Sequence, residues 1–240
     1  MTKIRFVLIC FLLFLIYPAI TANGEVGYLN EKHVAYYKQL IIESRDIRSD
    51  RQIIKRNNLL NQIKQKGLVD SKIKNMNKQL QDSTLCLALN IYHEARNSSI
   101  EDMIGVSLTV FSRLIDGQYV NAKVSNNLCN VIFADNQYSW TSNENNLPRE
   151  KKAWKLSQSI AYTMVSDRDI LFNVKDLHYK HYVERKLYNS TSNSWYNKAT
   201  HIRTIGKHIY LVFEPVNDID ETNKANTTIT YIKGRLFSRS

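Results

Sequence analysis

The sequence predicts a mainly helical α+β domain with a small β-hairpin, preceded by an N-terminal signal segment and a helical stalk. Three observations predict it. No proline interrupts the chain between Pro18 and Pro148, so long helices are permitted. Three segments between residues 85 and 165 index onto helical faces at about 100° per residue. Two short segments on either side of Gly206 alternate in the manner of strands.

Taken in order, the N-terminus carries Lys3 and Arg5, an apolar run from Phe6 to Ile16, the breaker Tyr17-Pro18, and the small residues Ala19-Ile20-Thr21-Ala22. Charge, apolar core, breaker and small residues in that order make residues 1–22 a signal peptide cut near Ala22. Ile20 suits cleavage less well than alanine, so a retained anchor is the alternative, although the run is shorter than the roughly 20 apolar residues of a span. Residues 23–83 hold twelve Lys/Arg against seven Asp/Glu, with scattered apolar pairs and no clean heptad. They read as a basic helical stalk, and a charge run of this kind is ordinarily a solvated face.

The compact domain is expected over 84–215. In its first helix Leu85, Leu87, Ala88, Leu89, Ile91, Tyr92 and Ala95 spread round most of the circumference, leaving a narrow polar sector of Asn90, His93 and Glu94. A helix apolar nearly all round is a buried one. The second helix opens on Ser98 and Glu101 at capping-box spacing and stops at Gly117. Its apolar face (Ile100, Met103, Ile104, Val106, Val110, Phe111) opposes a polar face (Glu101, Asp102, Thr109, Ser112, Arg113), which predicts a surface helix. A third helix is expected from Arg149 to Val165. Short strands are expected at 177–182, 202–205 and 208–213, and residues 216–240 form a polar, peripheral tail.

Composition narrows the class. With 43% hydrophobic and 23% charged residues the chain is neither disordered nor fibrous. The net charge of +11 points to an anionic partner and is silent on fold. Loss of the signal peptide removes Cys10 and leaves Cys86 and Cys129. Those two pair in an oxidising compartment or lie as buried thiols.

Glu94 is the leading candidate for chemistry. A carboxylate on a buried helix near its C-terminal end is disfavoured as an ion by desolvation and by the helix dipole. A protonated glutamic acid is what a general acid needs; the alternative is a structural salt bridge with Arg96 or Arg113. His93-Glu94 lacks the second histidine of a zinc-protease helix, since residue 97 is Asn97. No metal site, phosphate loop or nucleophile elbow is recognisable, and no cofactor is implied. The aromatics Tyr138, Trp140, His178 and Tyr179 suit sugar stacking or, more blandly, half-buried packing. Aromatics mixed with basic residues also suit single-stranded nucleic acid, which an export signal makes a poor partner.

These residues resemble the spore-cortex-lytic type of bacterial and phage cell wall hydrolase. The resemblance begins with Cys86 to Arg96, similar to the family's Tyr-x-Glu-Ala-Arg signature. It continues through Val106–Arg113, Leu128-Cys129-Asn130-Val131-Ile132-Phe133, Gln137-Tyr138-Ser139-Trp140-Thr141, His178-Tyr179, Trp195 and Ile205–Tyr210, spanning about residues 85–212. Two positions depart from it. Asn97-Ser98 stands where the family has Gly-Glu, and Ser112 stands where an Asn precedes the helix arginine. Ser98 is read as replacing the missing glutamate in helix capping.

The resemblance implies a lysozyme-like helical domain that cleaves peptidoglycan between N-acetylmuramic acid and N-acetylglucosamine. Glu94 matches the catalytic acid, and Gln137, Tyr138, Ser139, Trp140, His178 and Tyr179 would line the substrate cleft. No second carboxylate stands in the matched motifs. A lone glutamate suits lytic transglycosylation, in which it first protonates the leaving oxygen and then takes a proton from the sugar's own 6-hydroxyl. Hydrolysis, with a base such as Asp135 or Glu144, is the nearest alternative. Amidase action or a non-catalytic wall-binding module follows. The expected partners are peptidoglycan and the anionic envelope surface, with the membrane added only if the N-terminal segment is retained, and the expected place is the periplasm or cell wall.

Overall fold

A helix that is apolar nearly all round has to be enclosed, and in the computed structural model the helix at Lys78–Ala95 is buried from Ser83 to Tyr92 and again at Ala95. The structure describes residues 50–116, 128–134, 136–167, 179–190, 195–213 and 228–237. The expected signal peptide, the first part of the expected stalk, Gly117, Asp135 and His178 lie outside them.

Helix α1 covers residues 50–65 and leads into the single turn α2 (Ser71–Lys74), capped by Asp70, whose side chain accepts from the Lys72 amide at 2.9 Å. The central helix α3 (Lys78–Ala95) starts at Asn77, which accepts from the Leu80 amide at 3.0 Å. Around it pack α4 (Ile100–Asp116), α5 (Leu128–Ile132) and α6 (Lys151–Ser166). Tyr92 of α3 accepts at its hydroxyl from the amides of Arg149 and Glu150 at 3.0 and 3.1 Å, satisfying donors that the start of α6 would otherwise leave orphaned. The Sγ atoms of Cys86 and Cys129 lie at disulfide distance, 2.12 Å apart, joining α3 to α5.

The β part is a three-stranded antiparallel sheet of β1 (His181–Glu184), β2 (Thr200–Ile205) and β3 (His208–Val212), in the order β1-β3-β2. Helix α7 (Arg185–Ser190) follows β1, and α8 covers residues 228–237. Strands β2 and β3 form the expected hairpin about Gly206, whose φ of 56° is the left-handed value a tight two-residue turn demands. In β1 the residues pair Tyr182↔Tyr210 and Glu184↔His208. The molecule is thus mainly helical with a small sheet, as the hydrophobic periods predict.

Three expectations change. The polar face of α4 is not at the surface: Asp102 and Thr109 are 0% exposed, Ser112 4% and Arg113 7%. The reason is local satisfaction. Ser107 and Thr109 donate to the carbonyls one turn back, at 2.9 and 3.2 Å, and Arg113 Nε donates to Lys180 O at 2.8 Å, so a polar face can be covered without stranding donors.

The stalk boundary also moves. Leu59, Leu60, Ile63, Val69 and Ile73 are buried in the same core as α3, and the described residues from Asp50 onward belong to one compact unit. Among the described residues, the expected stalk from 50 to 83 is therefore part of the domain. Likewise the tail is not wholly peripheral, because Ile229, Ile232 and Leu236 of α8 enter that core while Lys233 and Arg235 pair with Glu101 and Asp167.

Truncating a fully buried isoleucine removes transfer energy and leaves a cavity. Ile63→Ala is expected to cost about 2–5 kcal/mol, the usual range for such sites, measured by urea or thermal unfolding. A cost below about 0.5 kcal/mol, typical of exposed positions, would return Ile63 to a solvated stalk.

Candidate active site

Glu94 stands in the last turn of α3, in the polar sector that its neighbours leave open. Its Oε2 accepts a hydrogen bond from the Tyr182 hydroxyl at 2.9 Å. Burial holds its pKa above the ordinary glutamate range, while the Tyr182 hydroxyl and the nearby His208, Lys207 and Arg113 pull the other way without overcoming it. The salt-bridge alternative is not what the structure holds. Arg96 pairs with Glu150 at 2.8 Å, and Glu94 makes no ion pair among the described residues.

The carboxyl group opens on a cleft of about 720 Å³. One wall is the end of α3, with His93 and Glu94. The second is the segment Asn136–Ser139, where Asn136 takes a left-handed φ of 61°. The third is the sheet, which contributes His181, Tyr182, Glu184, Lys207 and His208. Burial and the charges of Arg113 and Lys180 push His181 down to about 4, so its ring is neutral at physiological pH.

Gln137, Tyr138 and Ser139 line this cleft as the motif suggests, with Arg113 lying 5.2 Å from the Tyr138 ring. Trp140 does not. It is buried behind the wall, donating from Nε1 to Asn90 Oδ1 at 3.0 Å and stacking on His93 at 4.6 Å. It braces His93, whose Nε2 in turn meets Asn146 O at 3.0 Å. Tyr179 is also enclosed, stacked on Tyr210 at 5.1 Å, and is absent from the lining. Glu144 lines a different groove, beside α1. His178 and Asp135 lie outside the described residues.

Behind the sheet wall stands a network that the motifs did not announce. Asp102, fully buried, accepts from Tyr210 Oη at 2.8 Å, from the Lys207 amide at 3.2 Å, from the Ser98 hydroxyl, and from His208 Nδ1, which is 3.0 Å from both carboxylate oxygens. Burial pushes the Asp102 pKa up, but the hydrogen bonds and charge of His208, with those of Ser98 and Tyr210, carry it below the ordinary aspartate range. Ser98 is thus spent on Asp102. The hydroxyl that meets the Asp102 amide at the start of α4 is that of Ser99, at 3.3 Å, so the reading of Ser98 as the cap is corrected. At Gly206 an added Cβ would come within 2.6 Å of Ser98 Oγ and 2.8 Å of Asp102 Oδ2, so the turn presses on the helix where only glycine fits.

Sequence reading missed Asp102, Tyr182, Glu184 and His208 as site residues. Their available signal was strand alternation: Tyr182 and Glu184 point to one face of β1, and His208 faces Glu184 across β3. Among the described residues no group of three or more His, Cys, Asp and Glu side chains is gathered to hold a metal.

A family model described as Cell Wall Hydrolase matches residues 97–211. The matched stretch runs from the loop before α4 to β3, taking in two of the three cleft walls but not the end of α3, so Glu94 lies just upstream of it. No curated protein and no solved structure matches the chain.

Asp102→Asn removes the charge that His208 and its companions surround. Breaking a buried, hydrogen-bonded pair costs roughly 3–5 kcal/mol. Because the folded aspartate titrates below its unfolded value, its contribution is complete at neutral pH, begins to fall below about pH 4 and is lost as pH drops through the folded pKa. Thermal unfolding of the two proteins is therefore expected to differ widely at pH 7, with the difference narrowing progressively as pH falls below about 4. Equal stability at pH 7 would remove Asp102 from its place as the anchor.

Proposed function

We propose, taking the cell wall hydrolase match as premise, that this protein cleaves peptidoglycan glycan strands between N-acetylmuramic acid and N-acetylglucosamine with Glu94 as proton donor. That family supports action on peptidoglycan; the bond and the role of Glu94 are the proposal's own. The observation that carries it is a half-buried carboxyl group opening on a cleft large enough for sugar units and touched by a tyrosine hydroxyl.

The chemistry follows from that environment. A glutamic acid kept protonated by burial can give its proton to the leaving glycosidic oxygen as the C1–O bond breaks. The charge left on Glu94 is then met by the Tyr182 hydroxyl and the positive surroundings supplied by Lys207 and Arg113. A small sheet facing an acid on a buried helix across a cleft is also what a lysozyme-like arrangement asks for. A wall-binding module without activity gains nothing from a desolvated carboxyl, which favours the enzymatic reading. Lytic transglycosylation requires Glu94 to act next as base toward the 6-hydroxyl, whereas hydrolysis requires a second base; the choice turns on what else faces the cleft.

Export belongs to the same proposal. The order of charge, apolar run, breaker and small residues in 1–22 supports it, and so does the Cys86–Cys129 pair, which suits an oxidising compartment. The net charge of +11 suits an anionic envelope, with membrane attachment if residues 1–22 are retained.

The test compares the full chain with Glu94→Gln on purified peptidoglycan, reading the soluble products by mass spectrometry. Glycan fragments with intact stem peptides are expected, and the variant is expected to lose at least about 100-fold in rate. Equal rates would overturn the assignment of Glu94, and cleaved stem peptides with intact glycan would overturn the choice of bond.

A further inference from the structure

We infer that the groove beside α1 is a second substrate-binding site, which takes the stem peptide of a muramyl residue while the glycan strand lies in the cleft. The inference rests on the glycan-cleaving reading above and adds to it the part of the wall polymer that is recognised outside the cleft.

The groove is laid out along one helix. Arg51, Lys55, Asn58 and Gln62 fall at i, i+4, i+7 and i+11, a single stripe down α1. At helical rise the stripe is about 16 Å long. An extended peptide of about four or five residues reaches about 13–18 Å, so a stem peptide has the length of the stripe. Segment 144–147 forms the opposite side, and the two enclose about 360 Å³.

The lining suits such a ligand. A stem peptide carries alanine methyls and free carboxylates, and its diamino residue adds an ammonium where it is not cross-linked. Ile54, 58% exposed, and Leu59 present apolar surface to the methyls. Arg51 and Lys55 present cations to the carboxylates, and Glu144 presents an anion to the ammonium. Lys55 and Glu144 act on each other through their charges, yet no ion pair joins them. The side chains of Arg51, Lys55, Asn58, Gln62, Glu144 and Asn145 make no hydrogen bond or ion pair among the described residues, so their donors and acceptors are open to a ligand.

The groove also borders the cleft. Asn146 lines the groove, and its carbonyl oxygen lies 3.0 Å from Nε2 of His93, which lines the cleft beside Glu94. That corner is held in place. The Asn146 side-chain amide donates to Asn143 O at 2.9 Å, and Trp140 stacks on the His93 ring. A peptide that leaves the cleft past His93 meets Asn146 next and enters the groove along α1.

The experiment digests soluble glycan strands bearing uncross-linked stem peptides, and the same strands stripped of those peptides by an amidase. Three proteins are compared: the full chain, its Arg51→Glu/Lys55→Glu variant, and its Lys66→Glu/Lys74→Glu variant, whose exposed cations lie outside the groove. Product formation read by mass spectrometry gives KM and kcat. The parent is expected to show a KM about 10-fold lower on peptide-bearing strands, a difference within the reach of two exposed charge contacts. Arg51→Glu/Lys55→Glu is expected to raise that KM to the stripped-strand value with kcat unchanged, and to digest stripped strands as the parent does. That last result separates lost binding from a damaged fold. Lys66→Glu/Lys74→Glu is expected to keep the parent's KM on both strands. Equal KM values for the parent on the two strands, equal losses of Arg51→Glu/Lys55→Glu on both, or the same rise in KM from Lys66→Glu/Lys74→Glu would overturn the stem-peptide site while leaving glycan cleavage by Glu94 in place. A parent that cleaves neither strand would overturn the underlying reading and this inference with it.

Discussion

Asp102 is a carboxylate with no exposure to water, and a buried charge has to be answered on every lone pair or the fold loses several kcal/mol. The answers come from three separate pieces of chain: Ser98 from the loop before α4, the amide of Lys207 from the hairpin turn, and His208 with Tyr210 from β3. Meeting them brings the hairpin down onto the first turn of α4. Gly206 permits the approach at the turn, and Gly105 permits it one turn further along the helix, where the ring of Tyr210 occupies the space a Cβ would need. Once β3 is seated, the antiparallel register carries β1 with it. Tyr182 lies opposite Tyr210, and its hydroxyl then arrives at Glu94. The position of the Tyr182 hydroxyl, the only hydrogen-bond donor to Glu94 among the described residues, is thus fixed by a second carboxylate on a different helix.

The same arrangement separates two kinds of acidic environment. Glu94 sits at the end of a core helix, where desolvation favours the proton, and the disulfide-distance pair Cys86–Cys129 and the Tyr92 hydroxyl tie the rest of that helix to α5 and α6. Glu184 stands on the strand face in the open cleft. Rigidity behind the walls comes from aromatic packing, Trp140 on His93 and Tyr179 on Tyr210, which keeps cleft side chains in register without touching what enters the cleft.

Much of the fold was legible because hydrophobic period is a local property. The all-round apolar pattern of 85–95 announced a core helix, the pattern of 149–165 another, and Gly206 between alternating segments announced the hairpin. What was not legible depends on partners far along the chain. Asp102 looks like a surface residue until His208, 106 positions later, is seen to face it. The apolar pairs of 59–73 look like stalk until α3 is there to bury them. Trp140 and Tyr179 read as cleft aromatics because composition tells which rings are present and says nothing of which edge they show. Glu184 carried no motif at all; only the pairing of β1 with β3 gives it a neighbour. Glu94 was singled out from its place on the core helix, and the family match, which begins at residue 97, does not include it.

Burial raises the Glu94 pKa, and the Tyr182 hydroxyl supports its ionised form. Carbon-detected NMR titration of glutamate side chains in the full chain, with Glu94→Gln to assign the resonance, measures this directly. Expected is a Glu94 pKa above the ordinary glutamate range, rising further in Tyr182→Phe because the lost donor served the carboxylate. An ordinary or lowered pKa, or one that Tyr182→Phe leaves unmoved, would contradict it.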